Sequence, residues 1–121
     1  DIVDVFEAVA TASPASSLKW SGDKVTMGVV LASKGYPGDY KKGFAITGAD
    51  EVSGHVYHMG TKDDSGVLKT AGGRVMMVVC KADSIAEARE SVYADVRKIG
   101  CSNLFYRNDI AHWAFDESWS R

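Results

Sequence analysis

Two runs of this chain, KVTMGVVLA at 24–32 and RVMMVVCK at 74–81, are largely apolar on both of the faces that alternate along an extended strand. A strand with one wet face alternates apolar and polar residues. A strand apolar on both faces needs cover on both, which places these two runs at the centre of a sheet. Neither run approaches the roughly 20 apolar residues of a spanning helix, so no membrane segment is expected. The DDSG at 63–66 has the composition of a hairpin turn between the strands flanking it, so the centre is expected to pair antiparallel. Shorter strand candidates follow at 44–46, 55–59 and 67–70, separated by Gly, Asp and Ser.

One segment carries a full set of helix signals. Ser84 with Glu87 fits a capping box, Ile85, Ala88, Val92, Val96 and Ile99 form an apolar stripe, and Gly100 supplies a stop, so residues 84–99 are expected as a helix packed on the sheet. Ile2, Val5, Phe6 and Val9 recur at helical spacing, which predicts a short amphipathic helix over 2–11 whose apolar face is left exposed. The Ser, Ala and Pro of 11–17 read as a connector, so the chain divides into 1–17 and a domain at 18–121. With 121 residues, 45% hydrophobic and 25% charged, it has the size and composition of one globular core.

Fourteen Lys and Arg against sixteen Asp and Glu leave a net charge of -2, so the overall balance predicts no attraction to nucleic acid or to anionic lipid. Any anion site must be local. Cys80 and Cys101 form neither a CxxC pair nor a disulfide framework and read as free thiols of a reducing, cytoplasmic compartment. No basic-then-apolar leader is visible at Asp1.

The densest unusual segment is SKGYPGDYKKG at 33–43, with three glycines, two tyrosines and three lysines. Its backbone N–H groups and lysines, among them Lys42, suit an anion cradle; equally, Gly and Pro can reverse the chain while the lysines are simply solvated. The spacing is neither that of a P-loop nor that of a dinucleotide fingerprint. Gly72 and Gly73 open the second central strand and let a ligand approach the backbone, and Arg74 then projects a planar bidentate donor, suited to phosphate or carboxylate or to a surface carboxylate partner. His55 and His58, three apart in a strand, fall on opposite faces and cannot share a metal; a partly buried, hydrogen-bonded His58 is expected rather than a catalytic base. Arg107 and Asp109 are expected to pair. No Ser/His/Asp order, zinc spacing or Mg²⁺-holding carboxylate cluster stands out, so no catalytic or metal residue is assigned.

The segments VVLASKGYPGDYKKGFAITG, VYHMGTK, TAGGRVMMVV and LFYRNDIAHWA, in that order, resemble the C-terminal domain of the phosphoribosylamine-glycine ligase family across Trp20 to Ala114. The family pattern GYPGxYxKG is met at Gly35, Tyr36, Pro37, Gly38, Tyr40, Lys42 and Gly43, and GGRV at Gly72 to Val75. The chain departs from HAGT at Met59, and from YRxDIGxRA at Ala111 and Trp113.

The resemblance implies a longer parent in which ATP and Mg²⁺ phosphorylate the carboxylate of glycine. The amine of 5-phosphoribosylamine then attacks the acyl phosphate, giving glycinamide ribonucleotide for purine biosynthesis. A carboxylate is a poor electrophile; as a mixed anhydride it carries a good leaving group. The ATP and Mg²⁺ ligands would belong to a preceding ATP-grasp region, so that none is bound by this chain alone, and the preceding ATP-grasp and N-terminal domains would be its partners, with small-molecule substrates, no nucleic acid and no membrane. Residues 1–11 resemble the end of that region. The chain would then be one wall of a composite site, inactive alone, with Arg74, Lys42, Tyr36, Gly73 and His58 as its substrate-binding residues. The implied fold is α+β: a mostly antiparallel, sandwich or hybrid-like sheet with one long packed helix and a short N-terminal helix. A free-standing module that reuses this fold for an anionic metabolite or a protein partner is the alternative.

Overall fold

The structure, a computed structural model, describes residues 1–13 and 22–115. Its centre is the pair expected from the two doubly apolar runs. β1 (Val25–Ser33) and β5 (Arg74–Ala82) run antiparallel, with Val25 opposite Ala82, Met27 opposite Cys80, Val29 opposite Val78 and Leu31 opposite Met76. β2 (His55–His58) adds to the other side of β5 and β6 (Leu104–Phe105) to the other side of β1, so the order is β2-β5-β1-β6 and every pairing is antiparallel. Directly opposed residues share a face. Met27, Val29, Leu31, Met76, Val78 and Cys80 therefore form one apolar surface, all of it buried.

That surface is covered by α2 (Ile85–Val96), whose Ala88, Val92, Tyr93 and Val96 are buried against it. Ser84 starts the helix as expected, its hydroxyl accepting from Glu87 N at 3.2 Å. The stop differs from expectation: the helix closes at Arg97, and Gly100 lies beyond it, bridged to Thr47. Carbonyl acceptors in the last turn are met by the N–H groups of 97–99, so the chain leaves the helix without a left-handed glycine. Ile99 is half-buried past the helix end, and Ile85 is exposed at its start.

The opposite face of the sheet is only partly covered, a departure from the expectation of cover on both sides. Val79 is buried, but Val30 and Met77 are half-buried and Thr26 and Tyr57 are exposed. Short side chains reduce the need for cover there: Gly28 leaves room for Met77 and Val79, whose side-chain atoms lie 3.1 and 3.2 Å from where its β-carbon would be.

β3 (Thr61–Asp64) and β4 (Val67–Thr70) form the hairpin that the DDSG turn implies. Ser65 and Gly66 both have positive φ, 56° and 84°, the signature of a turn whose twist matches its strands, and Asp63 Oδ1 accepts from Gly66 N at 3.0 Å. The strand expected at 44–46 runs along β4 with Ile46 N donating to Leu68 O at 2.8 Å, but it pairs regularly only at Ala45 opposite Lys69.

The C-terminal stretch is tied to α2 by side chains. Arg89 lies over the Tyr93 ring and donates to the carbonyls of Ile110 and Asn108 at 3.1 and 2.7 Å, while Tyr93 OH donates to Arg107 O at 2.7 Å and accepts from Ile110 N. Arg107 and Asp109 form the expected fork, at 2.8 and 2.6 Å. α1 (Ile2–Ala10) is capped by Asp1, whose carboxylate accepts from Val3 N; of its expected apolar face Ile2, Phe6 and Val9 are exposed, Val9 to 74%, while Val5 is half-buried. The boundary expected at 17/18 lies outside the described residues. No described helix is long and apolar enough to cross a membrane.

Candidate functional site

The central strands change register where the candidate residues cluster. Between Leu31 and Ala32 the pairing slips, so that Arg74 faces Ala32 and Val75 is the extra residue, which lets Val75 and Met76 both be fully buried. Ser33 holds the strand start from the other side: its N–H donates to Gly73 O at 2.8 Å and its hydroxyl to Gly72 O at 2.9 Å. The turn after β2 closes on the same spot, with Met59 N and Gly60 N both donating to Val75 O and Ala71 N donating to Gly60 O. Three segments remote in sequence thus meet at 72–74.

They enclose a pocket of about 280 Å³ lined by Tyr36, Met59, Gly72, Gly73 and Arg74. Gly73 is required there for a steric reason: a β-carbon on it would lie 2.2 Å from Tyr36 Cδ2, so only a residue without a side chain lets the ring rest on the backbone. Gly60 likewise admits Gly72, whose α-carbon is 2.8 Å from the position of its missing β-carbon. Arg74 is exposed and pairs with no carboxylate among the described residues, whereas Arg107 pairs with Asp109 and Arg89 is committed to backbone carbonyls.

Three of the five residues singled out in the sequence, Arg74, Tyr36 and Gly73, therefore share one pocket. Lys42 stands apart, its ammonium 5.7 Å from the centre of the Tyr40 ring. His58 is exposed, a correction to the expected partial burial: it is the last residue of a four-residue edge strand, and its Nδ1 lies 2.9 Å from Thr61 Oγ1. Met59 was legible only as a departure from a motif, and its place in the pocket follows from a turn that sequence spacing does not specify.

Larger cavities lie elsewhere among the described residues, one of about 370 Å³ between Lys34, Asp39, Tyr40, Lys41 and Asn103 and two beside α2. In one of about 570 Å³ beside α2, Arg89 is committed to backbone carbonyls. In the other, of about 490 Å³, the buried Asp95 carboxylate is fully engaged by Ser53 N, Gly54 N, Cys80 Sγ and Lys98 Nζ. Burial alone would push the Asp95 carboxyl up, but those donors, the Lys98 ammonium first, outweigh it and hold it at about 2. These groups brace the fold.

Comparison with known proteins gives a consistent answer. The profile of the family described as Phosphoribosylglycinamide synthetase, C domain, matches residues 26–113. The phosphoribosylamine-glycine ligase of Caldanaerobacter subterraneus subsp. tengcongensis is 44% identical over 92% of this chain, and that of Halalkalibacterium halodurans 40% identical over 97%. The chain spans 27% of the length of each of these relatives. The crystal structure of the phosphoribosylamine-glycine ligase from Thermotoga maritima superposes with a TM-score of 0.64 at 33% identity, covering 69% of this chain and 21% of that one. A motif-bearing pocket, an antiparallel sheet under one helix and a match across most of the described residues agree, and the chain belongs to the phosphoribosylglycinamide synthetase C-domain family.

Proposed function

We propose that this chain forms the wall of a phosphoribosylamine-glycine ligase that receives the phosphate or ribose side of 5-phosphoribosylamine. The observation that carries the reading is the exposed Arg74 guanidinium, without a carboxylate partner among the described residues, in a pocket shared with Gly72 and Gly73. The substrate is a dianion, and an exposed planar fork meets it with charge-assisted hydrogen bonds of roughly 1.5–3 kcal/mol. Gly73, buried against the Tyr36 ring, lets that ring stand close to the backbone as a wall for a sugar.

On this reading the chain holds one substrate and the rest of the ligase performs the phosphoryl transfer. Among the described residues, no three His, Cys, Asp or Glu side chains converge to hold a metal ion. The proposal assigns ATP and Mg²⁺ to the preceding region of the parent, whose ATP-grasp and N-terminal domains are the proposed partners. The boundary at residue 17, a cytoplasmic location and a lack of turnover by the chain alone belong to the same proposal. His58 and Lys42 lie outside the pocket lining, and the proposal gives them no direct contact with the ligand.

Steady-state kinetics of the ligase that contains this chain test the reading. Arg74→Lys keeps the charge and loses the fork, so KM for phosphoribosylamine is expected to rise about tenfold or more, with KM for ATP within twofold. Intact turnover with all three KM values within twofold of the parent would make Arg74 a structural residue.

A further inference from the structure

Tyr40 does not line the Arg74 pocket, yet it sits directly behind the pocket's wall. Its ring meets the Tyr36 ring edge-on, centroids 6.1 Å apart and planes at 65°. Both rings converge on Gly73: the position of its missing β-carbon is 2.2 Å from Tyr36 Cδ2 and 3.1 Å from Tyr40 Cε1. On the Tyr40 ring lies the Lys42 ammonium, 5.7 Å from its centre, within the range of a cation–aromatic attraction. Neither tyrosine hydroxyl has a hydrogen-bond partner among the described residues, whereas the Tyr93 hydroxyl has two. The rings are thus placed by their faces and edges. Asn103 fixes the loop that carries them, its carbonyl accepting from Lys34 N at 2.9 Å and its amide donating to Lys41 O at 3.1 Å.

We propose that Tyr40, capped by the Lys42 ammonium, is a positioning residue for the Arg74 pocket: it holds the Tyr36 ring on the α-carbon of Gly73 and so fixes the wall against which a sugar phosphate seats. The identity of the ligand rests on the ligase reading above; the placement of Tyr36 does not. Lys42 then acts through Tyr40 rather than on the ligand.

The experiment uses the ligase that contains this chain, with ribose 5-phosphate as the probe, and reads glycine NMR shifts alongside affinity. In the parent chain the Gly73 α-protons, lying against the Tyr36 ring, are expected displaced from ordinary glycine values by its ring current. Tyr40→Phe and Lys42→Arg keep the shift and bind within twofold. Tyr40→Leu returns the Gly73 protons toward ordinary values and weakens binding about fivefold, with the α2 amide shifts unchanged as the control for folding. Lys42→Met weakens binding about threefold in the parent and by nothing further in the Tyr40→Leu background, the coupling expected when one residue acts through the other. An unchanged Gly73 shift in Tyr40→Leu overturns the proposal, as does a Lys42→Met cost that is the same with and without Tyr40. A chain that shows the Gly73 shift and its loss in Tyr40→Leu but takes up no ribose 5-phosphate supports the placement of Tyr36 and overturns the substrate reading instead.

Discussion

The Asp95 carboxylate on α2 accepts the backbone N–H of Gly54 at 2.8 Å, fastening the turn that launches β2 to the helix on the sheet's covered face. Ser53 N, Lys98 Nζ and the Cys80 thiol complete its partners, and Asp95 is 3% exposed. Its carboxyl is held at about 2, below the ordinary 3.8. A carboxyl whose folded value lies below its unfolded one contributes stability that is full above about pH 4 and is lost as pH falls toward 2, here on the order of 2 kcal/mol. Asp95→Asn lacks that titration. Urea unfolding is expected to show the parent's advantage over Asp95→Asn shrinking by about 2 kcal/mol between pH 5 and pH 2; a difference that stays constant with pH would contradict the assignment.

Cys80 and Cys101 should differ sharply toward alkylation. Burial, then the hydrogen bond to Asp95, pushes the Cys80 thiol up to about 11, so almost none of it is thiolate at pH 8. Cys101 is half-buried. Iodoacetamide followed by peptide mass spectrometry is expected to find Cys101 modified first, with Cys80 reacting only as the chain opens. Labelling of Cys80 at the same rate as Cys101 would show that the thiol is not held under α2.

Ala111 adopts φ 60°, a conformation in which its β-carbon crowds the carbonyl that follows. The two bonds around it, His112 N to Asp109 O and Ala114 N to Ala111 O, keep the chain in this turn. Relief of roughly 1–2 kcal/mol of crowding exceeds the added flexibility of glycine in the unfolded chain, so Ala111→Gly should stabilise by about 0.5–1 kcal/mol. The check is the denaturation midpoint, which a loss or no change would decide against.

The sheet centre was legible because β1 and β5 are apolar on both faces, a pattern few other structures tolerate, and α2 because Ser84, Glu87 and the Ala88, Val92, Val96 stripe all agree. The hairpin was legible from two turn residues. The slip at Leu31/Ala32 was not, because a bulge adds one residue without changing the apolar character of the run. β6, two residues long, has no period to detect. The Asp95 hub and the Arg89 carbonyl contacts join residues 15 to 42 positions apart, and their ordinary polar composition carries no local mark. Arg74, Tyr36 and Gly73 were legible as motif residues, but their meeting in one pocket depends on Ser33 and Gly60 holding the backbone at 72–75.

The central claim is that Arg74 and the Gly72–Gly73 backbone receive a sugar phosphate, and the most direct measurement is an NMR titration of the ligase that contains this chain with ribose 5-phosphate. Saturable shifts are expected at the amides of Gly72, Gly73 and Arg74 and at the Arg74 Nε, with Arg74→Lys raising Kd about tenfold. A titration that leaves those four signals unmoved, or one that Arg74→Lys does not change, would contradict the account.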